Sequence, residues 1–334
     1  MTAINVAACQ EFASAERIRP VDLLAAPEFV GKEESCVTVL NALIPVFGLI
    51  LLGWFLGARR ILPADGNATL SIITFKLMMP VLLFAGLARA DLSRAMSPML
   101  LLLYFLPAIS VFVLINLLMH RRLGRPSSMG LAASYSNNVL VGIPLITVML
   151  GADSLVYLFA VLVFHSLVLF TLQSLYNAFF GGGQLNWRSL LGSLANPLII
   201  GLMCGAAVNL SGLMIPAPLW RLVEMLAAAA LPLALLMLGM SLSGYRIHLS
   251  GSLVLLTLSK LLLMPALVLG LGYVIGLDPV AHTVLVLMAA CPTGVNVLAF
   301  AMGQADTRII SSVIFLSTVL AGFTLPLWLI LMAP

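Results

Sequence analysis

Residues 134–150, SYSNNVLVGIPLITVML, place Asn137, Asn138, Gly142 and Pro144 inside an apolar run long enough to cross a bilayer. Two adjacent amides and a Gly-x-Pro are poor material for a continuous membrane helix. Pro144 removes an N–H and clashes with the preceding turn. In lipid the freed backbone groups must be satisfied by protein or by a water-lined cavity. A second such run, residues 289–302 (AACPTGVNVLAFAM), carries Pro292, Thr293, Gly294 and Asn296. Paired breaks near the midplane are the sequence mark of a transporter's binding site. The chemistry they offer is capture of an anion. The second half of a broken helix presents unpaired N–H groups and a partial positive charge, and Pro144 suits the first turn of such a half-helix. Asn137, Asn138, Asn296 and Thr293 add uncharged donors that could hydrogen-bond a carboxylate. In the competing reading these groups only repair the broken backbone, and both readings stand, for Asn138 and Thr293 above all.

Charges inside apolar spans cost several kcal/mol unless paired or hydrated. Lys76 (TFKLMMP) and Lys260 (TLSKLLLMP) each precede a proline by four or five residues. Either they attract an anionic substrate or respond to protonation, or they snorkel to the cytoplasmic interface. His165, in LVFHSLVLF, reads as a hydrogen-bonded interhelical group rather than a proton carrier. Glu224 is expected to pair with Arg221 or solvent. No acidic residue lies deep in a span, which argues against a carboxylate relay or a carboxylate-rich sodium site.

The elements that must position these residues follow from composition. Of 334 residues, 62% are hydrophobic and 8% charged, with mean hydropathy +1.16. A soluble surface needs roughly a quarter charged residues, so the chain is an all-α polytopic membrane protein. Its basic residues are scattered through short loops, which gives no nucleic-acid footprint. Cys9, Cys36, Cys204 and Cys291 lack metal spacing. Residues 1–36 are polar, without an apolar run long enough for a signal peptide, and read as a disordered extension or misassigned start, or else as a short amphipathic regulatory segment. From Val37 about ten spans follow, each near the ~20 residues a bilayer requires: 37–57, 68–88, 98–119, 128–150, 153–178, 188–210, 220–242, 250–276, 279–303 and 308–332. Loops after odd-numbered spans carry Arg59, Arg60, Arg121, Arg122, Arg125, Arg188, Arg246 and Arg308. The others carry only Arg89, Arg94 and Arg221. That bias of 8 to 3 puts the odd-numbered loops in the cytoplasm and both termini outside.

A single offset of 152 aligns Pro45 with Pro197, Gly53 with Gly205, Pro80 with Pro232, Gly142 with Gly294 and Gly151 with Gly303. Two five-span halves, 37–180 and 188–334, are therefore expected to repeat. An odd span count inserts them in opposite senses, an inverted repeat that brings broken, crossing helices 4 and 9 into antiparallel register.

SNNVLVGIPL (136–145) is similar to the fourth-helix motif of the auxin efflux carrier family, in which an Asn precedes Gly-x-Pro by five residues. CPTGVNVLAFA (291–301) is similar to that family's ninth-helix motif, and LPLALLMLGMSL (231–242) reads like its seventh helix. The resemblance covers Val37 to the C-terminus and extends to the wider superfamily of sodium-coupled bile acid carriers. The chain departs from plant members in Ser136, where they have Pro, in Asn296, and in a central loop of only about residues 181–188. It resembles a short bacterial member, for which auxin is not the expected substrate. The resemblance implies a scaffold of spans 1, 2, 6 and 7 that often dimerises, and a transport domain of spans 3–5 and 8–10. It implies alternating access for a small organic anion such as malonate or malate across the inner membrane, with coupling to protons or sodium. No cofactor is implied. Gly48, Gly53, Gly205 and Pro232 suit close helix packing.

Other classes fit less well. An enzyme should show a nucleophile–base pair, a metal cluster or a nucleotide loop. The four histidines (120, 165, 248 and 282) are isolated, and no Walker or G-x-G-x-x-G pattern occurs, so neither catalytic nor metal-binding residues are assigned. A solute sensor would need a soluble output domain. A sodium-coupled symporter and a channel remain the alternatives within the membrane class.

Overall fold

The computed structural model describes residues 32–61, 64–90, 97–181, 197–245, 247–301 and 306–332. Of the N-terminal segment expected over 1–36, residues 1–31 lie outside this description, as do Gly303 and the linker over 182–196. Helix α1 (Lys32–Ala58) begins five residues before the expected first span. It is followed by α2 (64–88), α3 (Pro98–Leu123), the short α4 (Met129–Ser134), α5 (Ile143–Leu150) and α6 (Leu155–Gly181). Then come α7 (Pro197–Ser211), α8 (Ala217–Ser243), α9 (Gly251–Ile275), α10 (Pro279–Ala290), α11 (Leu298–Ala301) and α12 (Thr307–Met332). The described residues are helical apart from loops and one isolated two-residue bridge. Among the described residues six helices, in α2, α3, α6, α8, α9 and α12, are long and apolar enough to cross a membrane. Four shorter apolar helices (Leu43–Ala58, Asn138–Leu150, Pro197–Ser211 and Pro279–Ala290) fall on the remaining expected spans.

Local chemistry sets the helix ends. Ser250 and Asp278 cap α9 and α10, their side chains accepting from Leu253 and Ala281 N–H groups. Gly124 closes α3 in the left-handed conformation at φ 66°, its N–H donating to the His120 carbonyl. Pro80, Pro144 and Pro265 each follow a five-residue π turn, over Thr74–Met78, Asn138–Gly142 and Ser259–Leu263. A proline cannot donate to the carbonyl four residues back. At Pro265 that carbonyl belongs to Leu261, and the indole of Trp328 from α12 takes it at 2.9 Å.

Packing sorts the helices. α1 lies along α8, and α2 along α7 and α8, the closest associations in the molecule. Both depend on glycine. A Cβ added to Gly53 or Gly239 would sit 2.1 or 2.0 Å from the carbonyl oxygen of Leu236 or Ile50 across the α1–α8 contact. Gly201 and Gly205 meet Pro80 and Phe84 of α2 in the same way. Close backbone approach of this kind is how small residues associate helices in lipid. Gly48, by contrast, faces open space, and Pro232 lies inside α8. The other helices surround α10, whose residues 284–290 are wholly buried among α3, α6, α9 and α12.

Among the described residues, two ion pairs tie helix ends and loops. Arg125 grips Asp306 through both guanidinium nitrogens, at 2.5 and 3.3 Å, with Asp306 buried. The carboxylate hydrogen bond holds the Arg125 pKa above its ordinary value. Glu224 pairs with Arg89 at 3.0 Å, and Arg89 lies 3.9 Å over the Trp220 ring. This corrects the expected Arg221 partner. One turn of separation favours Arg221, but the contact between α2 and α8 brings Arg89 closer.

Candidate functional site at the crossing of two broken helices

The two breaks meet. The Asn137 N–H donates to the Pro292 carbonyl at 2.8 Å and the Gly294 N–H to the Tyr135 carbonyl at 3.0 Å, making an antiparallel bridge of Ser136 and Thr293. Each interrupted backbone thus supplies the hydrogen bonds the other lacks, which a non-aqueous setting requires. The second break sits where the sequence locates it. Cys291, before Pro292, is extended (φ −55°, ψ 147°) and ends α10. The first falls at residues 135–137, upstream of Pro144, which instead lies in the first turn of α5. Asn137 caps the turn that follows, its Oδ1 accepting from the Leu140 N–H at 3.4 Å.

The crossing has an inner side and an open side. On the inner side the polar donors are engaged. Thr293 donates its hydroxyl to the Ala132 carbonyl (2.8 Å) and its N–H to Ser317 Oγ (3.1 Å). Asn138 Nδ2 donates to the Tyr104 hydroxyl at 3.1 Å. The Lys260 ammonium, wholly buried, donates to the Ala289 carbonyl at 2.5 Å and lies 3.8 Å from Met264 Sδ. It sits at the last turn of α10, where carbonyls are orphaned and a cation is favoured.

The open side is a small cleft of about 60 Å³, room for a few water molecules or a small ligand. The crossing forms one wall, with Tyr135–Leu140 and Gly294–Asn296. Leu162, His165 and Ser166 of α6 form a second. Phe75 of α2 with Leu198, Ile199 and Leu202 of α7 close it with an apolar face. Four buried polar atoms of lining residues have no hydrogen-bond partner: Ser136 Oγ, Asn137 Nδ2, Asn138 Oδ1 and His165 Nε2. Burying such an atom unpaired costs about 1–3 kcal/mol, so the arrangement favours a polar occupant.

Of the residues singled out from sequence, Asn137, Asn138, Gly294 and Asn296 line the cleft. Asn296 is exposed to it, beside Tyr135. Pro292 and Thr293 build the bridge and Pro144 the following helix. Gly142 packs 3.5 Å from Cys291 Sγ, judged from an added Cβ. Lys260 lies behind the crossing, and Lys76, next to lining Phe75, is exposed but is not a lining residue. Sequence reasoning passed over Tyr135, Ser166 and the cleft role of His165. The His-Ser pair within an apolar run was the available signal.

Comparison with known proteins agrees with the helical pattern. The chain matches the family described as "Membrane transport protein" twice, over residues 38–184 and 183–329. It is 28% identical over 310 residues to an "Uncharacterized transporter" of Methanothermobacter thermautotrophicus, covering 90% of this chain and 98% of that one. It is 27% identical over 286 residues to a "Putative malonate transporter" of Rhizobium meliloti, covering 80% and 86% respectively.

Proposed function

The chain belongs to this membrane transport family, that of the auxin efflux carriers, and as such is an integral multi-pass membrane protein. On that premise we propose that it is a secondary carrier moving a small organic anion, a carboxylate such as malonate or malate, across the bacterial cytoplasmic membrane by alternating access. One observation carries the reading: the crossing of two broken helices opens on a cleft where the Asn137 amide has an unpartnered N–H group. The donor sits beside the start of the helical run 138–150, whose first-turn N–H groups and dipole favour an anion. The name of the Rhizobium relative points to the same substrate class.

In this reading α1, α2, α7 and α8 are the fixed scaffold, through which two copies pair. The remaining helices move. The cleft lies between them, its apolar wall from α2 and α7 and its polar wall from the crossing. Displacing the polar wall along the apolar one would expose the anion alternately to either side. The twofold family match supports two five-helix halves of opposed orientation. So does the equivalent use of Gly53 and Gly205, aligned by the 152-residue offset, each at a close helix contact. Arg125 pairs with Asp306, and Arg89 with Glu224. Each pair joins segments that the arginine count assigns to one side, so the pairs agree with that grouping; cytoplasmic odd-numbered loops and external termini rest on the arginine count.

The test is counterflow of labelled malonate into proteoliposomes holding the purified protein. Saturable uptake, accelerated by unlabelled malonate or malate inside, is expected. Flux that rises linearly with concentration and ignores internal substrate would indicate a pore. Neither flux nor binding for any small carboxylate would refute the substrate class.

A further inference from the structure

Among the described residues that line the cleft, His165 is the only imidazole, amine or carboxylate. The residue is 1% exposed, and its Nε2 has no hydrogen-bond partner. Two aromatic rings fix the imidazole in place: Tyr135, with ring centroids 4.4 Å apart, and Tyr104, at 5.7 Å. Around it stand the Tyr104 hydroxyl from α3, the Tyr135 hydroxyl from the crossing, itself bonded to Ser166, and the apolar wall of α2 and α7. The Lys260 ammonium of α9 lies within electrostatic range behind the crossing. No carboxylate faces the ring among the described residues. A buried base without a counter-ion, in a cleft shaped for an anion, has one obvious complement.

We infer that His165 binds the substrate carboxylate as an imidazolium, so that the carrier takes up one proton with each anion and releases it with that anion on the other side. The inference rests on the anion-carrier reading above. Its chemistry balances simply. A proton from the entry side joins the ring, the ring nitrogen donates to a carboxylate oxygen, and both leave together, so the moving site carries one negative charge fewer. Lys260 does not serve this role, because its ammonium is spent on the Ala289 carbonyl away from the cleft. Asn137 supplies a second, uncharged donor to the same anion.

The experiment is calorimetric titration of the detergent-solubilised protein with malonate between pH 7 and 8.5, where carboxylates are fully ionised, in two buffers of different ionisation enthalpy. Uptake of about one proton per malonate is expected, with Kd rising up to about tenfold per pH unit. His165→Gln retains a donor but should bind about ten- to a hundredfold more weakly at pH 7, for loss of a charge-assisted bond, with no proton uptake. Lys260→Arg, which keeps a cation for the Ala289 carbonyl but cannot release its proton, should keep the uptake. If His165→Gln binds too weakly to titrate, the wild-type and Lys260→Arg proton counts decide. Malonate binding without proton uptake overturns the inference and leaves the carrier reading intact. Uptake that persists in His165→Gln, or vanishes in Lys260→Arg, also overturns it. Absence of binding by any small carboxylate refutes the carrier reading instead.

Discussion

Replacing Asn137 by Asp and by Ala separates two jobs of one side chain. Its Oδ1 caps the turn 138–142 by accepting from the Leu140 N–H, while its Nδ2 faces the cleft without a partner. Asn137→Asp keeps the capping oxygen and places negative charge near a helix start, a change that favours folding by about 0.3–1 kcal/mol. It also exchanges the donor for an anion beside the bound anion. Two unit charges ~4 Å apart at an effective dielectric of about 20 repel by about 4 kcal/mol, close to a thousandfold in affinity. Asn137→Ala loses the cap, about 1 kcal/mol of stability, and a hydrogen bond to a charged group, about 1.5–3 kcal/mol of affinity. The two variants should therefore rank in opposite orders. Ala is the worse in thermal unfolding, and Asp is the worse in malonate binding and proteoliposome uptake. The assay is run at pH 8, so that the new carboxylate does not escape repulsion by taking a proton. Equal binding by the two variants would mean that the amide does not touch the anion and is only a cap. Asn296, exposed on the opposite limb, should show the same order with smaller effects.

The glycines at the two breaks should respond differently. A Cβ on Gly294 would lie 2.6 Å from the Tyr135 ring, so Gly294→Ala should cost about 1–3 kcal/mol, whereas Gly142→Ala, with nothing nearer than 3.4 Å, should change thermal stability by less than about 1 kcal/mol. Arg125→Ala strands the buried Asp306 carboxylate and should cost toward the lower end of about 3–5 kcal/mol, because Arg125 is 40% exposed. Adding Asp306→Asn to that variant should recover part of the loss in unfolding scans, and further destabilisation would refute the pairing argument.

Much of this architecture is legible because lipid simplifies the problem. Long apolar runs have one solution, the helix, so the ends of α3, α8 and α12 fall within a few residues of expectation. The breaks are legible for the converse reason: Pro292 has no N–H to continue a helix, and Asn137 beside Asn138 offers its own caps. What the sequence hides is how distant groups are spent. Asn138 and Thr293 resemble Asn137 in type and position, yet Tyr104 and Ala132 take their hydrogen bonds. Lys260 finds its carbonyl 29 residues away, a pairing set by how α9 meets α10 and invisible in either segment. His165 misleads in the opposite direction. A histidine in an apolar span invites an interhelical partner, and the fold leaves its Nε2 without one.

The division of labour at the crossing follows from its being made of backbone. A broken helix in a dry interior leaves both donors and acceptors unmade, and they differ in how they can be satisfied. Acceptors at the C-terminal end of α10 can be met permanently by a tethered cation, which is where Lys260 stands. Donors at the start of the second half-helix cannot be met so simply, because a tethered carboxylate there would repel an anionic cargo. Among the described residues no acidic side chain lines the cleft. Neutral caps such as Asn137 hold the turn without filling the positive end of the dipole. On the anion-carrier reading that end remains open to an anion that can leave, and the Lys260 amine on the far side of the crossing holds the end of α10 when it does.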